Sequence, residues 1–459
     1  MIREIVQERA ASAAALYDAL VNRQLRRASR WLGLDRDFRR GSGPYLFDAE
    51  GRRYLDLVSG YGVFFLGRGH PGVRDALKEV LDLELPGSLQ FGGSLLAGAL
   101  AEALLERAPR RLSRAWFGSS GSEGIEAALK MARRATGRRR VVCLEGAYHG
   151  STAGALALAG SEHDREGFGP LPPGVTRVAV GDTLGLEAEL SGRDVAAFVL
   201  EPIQARGVRE PHPEFFVAAR EQCDRYGTLL VADEVMTGMG RTGRLFACEH
   251  WALEPDLLVL SKALSGGFVP VCAVLTTADV HDAVFDSPAR AGAHFATFGG
   301  NDLAMAAGLA TLRVIQREGL VERAADLGAR FEARLSALRE RHPGFVGLAG
   351  RGLMLGVTLR SGQGSSADPG LGGRIGAGLL AVKAASDLIE RHRILAMPAG
   401  RGVDVVRLLP PAVVADADVD RICEALDDVL GRCETTASAL LDLGITLARR
   451  ALGREPSTG

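Results

Sequence analysis

Between about residues 72 and 315, short apolar runs alternate with stretches of helical periodicity, and this alternation constrains the fold more than any other feature of the chain. Apolar residues recur at helix-face spacing over 72–84, 93–108, 122–136, 214–227 and 302–317. Between them lie the runs 115–117, 141–144, 196–200, 229–232, 257–260 and 271–275. Continuous apolar runs of this length suit strands buried on both faces, as in a parallel sheet covered by helices. The pattern therefore predicts an α/β fold whose large domain spans 71–330, with a mostly parallel central sheet. Residues 1–70 read as an N-terminal helical segment that breaks at Gly41-Ser42-Gly43-Pro44, then a hairpin turning at Ala49-Glu50-Gly51. Residues 331–459 read as a smaller α+β domain. Helical patterns at 320–341, 374–392 and 417–431 flank apolar runs at 353–359 and 405–409. A Gly/Ser-rich stretch at 361–373 reads as a flexible loop, and 437–452 as a terminal helix.

Charge excludes several classes of partner. Lys plus Arg number 55 and Asp plus Glu 56, for a net charge of −1. With no large positive field, neither nucleic acid nor an anionic membrane is the expected partner. No apolar run approaches the ~18–20 residues of a spanning helix, and the N-terminus lacks a secretory apolar core. The six cysteines never occur as CxxC, which argues against a zinc site and a disulfide framework. A reduced cytoplasmic setting, with no bound metal, is the expectation.

Only four of the basic residues are lysines: Lys78, Lys130, Lys262 and Lys383. Three lie in helical patterns, where a solvated lysine is the default. Lys262 instead follows the apolar run LLVLS and precedes Ala-Leu-Ser-Gly-Gly. It projects from the carboxyl end of a buried strand, where open α/β sheets place their ligands. A desolvated lysine has a lowered pKa and can act as a nucleophile.

Two further strand ends carry chemistry. In AWFGSSGSEGIEAALK (115–130) a Ser/Gly loop leads into a helix beginning near Ser122. Helix N-termini bind phosphate through unpaired N–H groups; Ser120 and Ser122 add hydroxyls, and Gly121 permits close approach. In TLLVADEVMTGMGRTG (228–243) the acidic pair Asp233-Glu234 closes an apolar strand. A carboxylate there needs a partner, which could be an arginine, a metal or a protonated ring nitrogen. An amine, a carboxylate and a phosphate cradle on three strand ends together describe a site for pyridoxal phosphate.

The chain resembles the class III aminotransferases, fold type I of the pyridoxal phosphate enzymes. The likeness runs from about Gly43 to Val414. It includes PYLFDAEGRRYLDLVSGYGV, LGRGHP, FGSSGSEGIEAALKMAR, GAYHGSTAGAL, EPIQ, LLVADEVMTGMGRTG, LVLSKALSGG, TFGGNDLAMAAGLATL and RGLMLGV. The resemblance implies Lys262 as internal aldimine and proton shuttle, and Asp233 on the pyridine nitrogen. It implies Tyr148 and Val235 on the two ring faces, and Gly121 and Ser122 on the phosphate. Thr297 would reach the phosphate of the partner subunit in a homodimer with shared sites. Arg407, in VVRLLPP, would grip a substrate carboxylate. His149 and Glu201 are expected behind the ring, and Tyr61, Phe64 and Phe65 at the entrance.

The family's reaction moves an amino group between a terminal amine or aldehyde, or an omega-amino acid, and a keto acid such as pyruvate or 2-oxoglutarate. Alternatives are an aminomutase or decarboxylase of the same fold, or a cofactor-binding scaffold without turnover. Four positions depart from the family's wording: Ser119 for asparagine, Met236 for the glutamine of DEVQTG, Arg206 for a glutamate, and Asp302 for proline. Arg206 is expected to alter substrate choice if it faces the pocket.

Overall fold

A computed structural model describes residues 1–87, 93–360, 378–433 and 443–447. Its centre is a seven-stranded sheet in the order Arg114–Gly118, Cys272–Thr276, Leu257–Leu260, Leu229–Asp233, Val195–Leu200, Arg140–Leu144, Val175–Val178. Cys272–Thr276 runs antiparallel to both neighbours, and the remaining pairs are parallel. Val195–Leu200, Leu257–Leu260 and Cys272–Thr276 are buried along their whole length, as expected of strands covered on both faces. The helices Gly121–Thr136, Pro213–Tyr226 and Asp302–Arg317 follow the predicted faces to within a residue or two.

Other elements were not anticipated. The edge strand Val175–Val178 and the helices Ala153–Ala157, Thr183–Ser191 and Ala278–Val284 join the large sheet's surroundings. Near the N-terminus, Phe38–Ser42 is a strand rather than the end of a helical segment. It pairs antiparallel with Tyr45–Asp48 across a turn at Gly43, whose φ of +54° suits glycine. The expected break at 41–44 is therefore a strand end plus a tight turn. Tyr45–Asp48 pairs in turn with Arg53–Asp56, the expected hairpin. Ile394–Leu395 adds a parallel fourth strand, so segments more than 330 residues apart in the sequence share one sheet.

A third sheet, ordered Phe345–Arg351, Met354–Leu359, Val405–Leu408, Met397–Pro398, is antiparallel throughout. Helices Leu320–Ser336, Leu379–His392 and Asp416–Arg432 present buried apolar faces of the expected period. The expected loop at 361–373 lies outside the described residues, as does most of the expected terminal helix, of which 443–447 is helical. One lysine expectation is corrected. Lys383 is buried, because its helix packs on both sides, and it is ion-paired with Asp387 one turn on.

Candidate active site

The functional side chains gather where strands of the central sheet end. Asp233 closes Leu229–Asp233 and stands in register with Val259, three residues before Lys262. The chain leaves Leu257–Leu260 through Ser261 and turns at Lys262, which takes φ +40°. A non-glycine residue in that region is uncommon and clusters at functional sites. Gly121 and Ser122 open the helix Gly121–Thr136, and the loop carrying Tyr148, His149 and Gly150 follows Arg140–Leu144.

These residues line one cavity of about 200 Å³, together with Glu201, Ala205, Val235, Met236 and Ser261. Lys262 is the lysine in its wall, and its Nζ lies 3.8 Å from the Met236 sulfur. Burial, with the Arg407 charge adding to it, pushes the Lys262 amine down to about 8. Asp233 is buried, with Oδ2 2.7 Å from His149 Nδ1, and Oδ1 accepts the Val235 N–H at 3.0 Å. Burial opposes a charge on His149, but the Asp233 bond and the nearby carboxylates outweigh it and raise the ring's pKa. The opposite ring nitrogen, Nε2, is buried with no partner among the described residues. Glu201 is also buried and accepts the N–H groups of Tyr148 and Ala205 at 2.9 and 2.8 Å. Burial lifts its carboxyl above the usual range.

Steric economy marks the glycines. A Cβ on Gly121 would stand 2.9 Å from both Val235 methyl carbons, so only hydrogen fits between that helix start and Val235. Ser120 is the N-cap: its hydroxyl accepts the Glu123 N–H at 3.2 Å, while Glu123 accepts from Ser119 and Ser120 N–H groups. Ser119 thus contributes through its backbone. Ser122 Oγ accepts the Ser151 N–H at 3.3 Å.

Arg407 projects from Val405–Leu408, is buried, and donates to the Ala205 carbonyl at 2.7 Å. Its guanidinium carbon lies 5.8 Å from the Tyr61 ring centroid, and Tyr61 itself is exposed. No carboxylate pairs with Arg407 among the described residues. Phe65 does not line the entrance. It is fully buried, its ring 4.9 Å from the Arg241 guanidinium carbon. Phe64 packs beneath the Arg68 guanidinium. Arg206 turns to Asp164, Nη2 to Oδ2 2.6 Å, with its guanidinium carbon 5.9 Å from the Tyr148 ring centroid. Thr297 is exposed and is not among the residues lining this cavity. Asp302, where the family has proline, accepts Gly87 N–H and the Ser94 hydroxyl, both at 3.0 Å.

Residues 30–430 match the family model described as aminotransferase class-III. The chain belongs to the class III aminotransferases. An aminotransferase called PigE, from a Serratia species, is 37% identical over 87% of this chain. The chain spans about half (51%) of that relative's length. A putrescine aminotransferase of Pectobacterium atrosepticum is 36% identical, covering 86% of this chain and 83% of its own. Among solved structures, the pyridoxal-phosphate-bound form of an amine transaminase from an uncultivated Pseudomonas species superposes with a TM-score of 0.74. It is 30% identical and covers 86% of this chain and 94% of its own. As a class III aminotransferase of fold type I, the chain is an enzyme that uses pyridoxal phosphate.

Two residues of this aminotransferase escaped the reading of its sequence. Arg241, within the GRTG motif but given no role, is fully buried and donates to the carbonyls of Pro410, Leu353 and Gly62 at 2.6, 3.3 and 3.3 Å. Its total burial, with no carboxylate partner among the described residues, has no signature in the sequence. Asp164 lies in the polar stretch SEHDREG, where no period or motif distinguishes one acid from the next.

Proposed function

We propose that this enzyme transfers an amino group from a terminal amine or omega-amino acid to a keto acid such as pyruvate or 2-oxoglutarate, with Lys262 as the covalent anchor for the cofactor. The observation that carries this reading is the Lys262 amine, pushed down to about 8 in a cavity that Asp233 also lines. The chemistry of the donor set fits pyridoxal phosphate: an enclosed amine, a buried carboxylate, and a helix start cleared by Gly121. When bound, that cofactor supplies an electron sink that stabilises negative charge at the substrate carbon.

Each side chain then has a task. Lys262 Nζ holds the aldehyde and, with its lowered pKa, can take up and release a proton near neutral pH. Asp233 would keep a proton on the ring nitrogen of the bound cofactor, and His149, bonded to it at 2.7 Å, fixes the carboxylate. Tyr148 and Val235, which both line the cavity, would confine the ring. The N–H groups of Gly121 and Ser122, with the hydroxyls of Ser120 and Ser122, receive the phosphate at the positive end of the helix dipole. Arg407, fixed by Ala205 and with no carboxylate partner among the described residues, receives a substrate carboxylate. Tyr61 stands beside it at the mouth.

The enzyme works as a cytoplasmic homodimer in which Thr297 donates to the partner subunit's phosphate. Support comes from the exposure of Thr297 and of its neighbours Phe295 and Phe298, large apolar residues that a second subunit would cover. The test is borohydride reduction of the holoenzyme with peptide mapping, beside an amine-donor screen following alanine from pyruvate and glutamate from 2-oxoglutarate. Pyridoxyl on Lys262 and amino transfer to either acceptor are expected. A label on Lys130 or Lys383, or no transfer from any amine, would overturn the reading.

A further inference from the structure

A second guanidinium stands beside Arg407. The carbonyl that fixes Arg407 belongs to Ala205, and the next residue in the chain is Arg206. Burial, with the Arg206 charge among its neighbours, holds the Arg407 guanidinium below its usual range. The two cations are held differently. Arg407 is buried and bonded to backbone, with no carboxylate among the described residues, so it is a fixed vacant partner for one anion.

Among the described residues, Asp164 is the one side-chain carboxylate that holds Arg206, at 2.6 Å. Its guanidinium also leans over the Tyr148 ring, a wall of the cavity. The two side chains keep 25% and 21% of their surface in solvent, so each group stays partly hydrated when the pair parts, although the Asp164 Oδ2 that meets Arg206 is itself buried. Asp164 lies on the four-residue helix Glu162–Arg165, which buries none of its residues and has no side-chain cap. Besides the ion pair, the helix is held by Arg165, which donates to the Ala159 carbonyl, and by Arg401, 2.6 Å from His163 Nε2. A second carboxylate arriving at Arg206 would replace Asp164 without changing the charge around the guanidinium, and the planar fork can present two N–H groups to it.

We propose that Arg206 is a specificity-determining residue that trades Asp164 for the distal carboxylate of a dicarboxylic amino acid or keto acid whose other carboxylate is on Arg407. This rests on the functional reading above and narrows its acceptor to the dicarboxylic class. With monocarboxylates, or with carboxylate-free amines, Arg206 stays on Asp164 and the pair is a neutral part of the wall.

The test measures binding without turnover, so its outcome is separate from whether amino transfer occurs. Glutarate and butyrate, neither of which carries a reactive keto or amino group, are titrated into the holoenzyme by calorimetry. The readout is the ratio of their dissociation constants in the parent enzyme, Arg206→Gln, Arg206→Lys and Asp164→Asn. Losing a charge-assisted bond to the distal carboxylate should raise the glutarate-to-butyrate ratio by roughly tenfold in Arg206→Gln. Arg206→Lys, which keeps the charge but loses the fork, should fall between, and serves if the Gln variant does not fold. Asp164→Asn should lower the ratio, because it frees Arg206. A shift under threefold in the Arg206 variant measured, or a ratio that does not fall in Asp164→Asn, overturns the proposal. Absence of amino transfer in the screen above would instead count against the functional reading and leave these constants to be judged by themselves.

Discussion

The lowered pKa of the Lys262 amine can be measured. The amine is pushed down to about 8 by burial and by Arg407. An amine attacks only when unprotonated, so in the apoenzyme its labelling by trinitrobenzenesulfonate should rise with pH through about 8 and then level off. Peptide mapping isolates the site, since the competing lysines are only three. A midpoint near the ordinary lysine value would show that the amine is not enclosed. Asp233 supports a second expectation. Asp233→Asn keeps the shape and the acceptor for Val235 N–H but removes the charge that His149 and the ring nitrogen share. Turnover should fall by ~10²–10³-fold while cofactor absorbance after gel filtration is retained. Undiminished turnover would make the carboxylate structural.

At the scale of elements, one buried side chain ties three segments together. Arg241 bonds the carbonyls of Gly62, Leu353 and Pro410, and so joins the segment bearing Tyr61 to the segment that follows Arg407. Arg241→Met fills similar volume but orphans three carbonyls, at about 1–3 kcal/mol for each one left buried and dry. We expect a loss of at least about 2 kcal/mol in denaturant unfolding, and a Michaelis constant for carboxylate substrates that rises more than kcat falls. An unchanged unfolding midpoint would refute the tie. Elements also show what was legible in the sequence. Helices such as Asp302–Arg317 were readable to the residue because a long buried face repeats its period several times. The strand Val175–Val178 was not, since it is four residues long, lies at the sheet edge and is mostly half-buried, leaving VTRV without a pattern. Phe38–Ser42 was hidden for the same reason: FRRGS is almost wholly exposed and is a strand only because Tyr45–Asp48 folds back on it. In the site, Lys262, Asp233 and Gly121 stood out because each breaks an apolar strand or opens a helix. The Arg206–Asp164 pair did not, because an ion pair between a one-turn helix and a turn 42 residues further on leaves no periodic trace.

The whole molecule raises a question a single chain does not answer, namely which subunit's cavity Thr297 serves. Thr297 is exposed and does not line its own chain's cavity, while Phe295 and Phe298 beside it are 55% and 67% exposed. An apolar groove of about 790 Å³ between helices Pro71–Asp82 and Asp302–Arg317 lies on the helix that follows this loop. Apolar surface of this kind commonly marks a contact face, and the proposed homodimer would seat its second copy on this side of the molecule. Thr297→Ala should then weaken cofactor binding by roughly tenfold or more, the usual worth of a hydrogen bond to a charged group. The decisive measurement mixes a Thr297→Ala chain with a Lys262→Ala chain at limiting cofactor. If Thr297 acts across the boundary, each heterodimer holds one site with both defects and one with neither, so activity returns toward half that of the parent. If Thr297 acts within its own chain, each site carries one defect, and heterodimers proven by mass or tag exchange show no recovery.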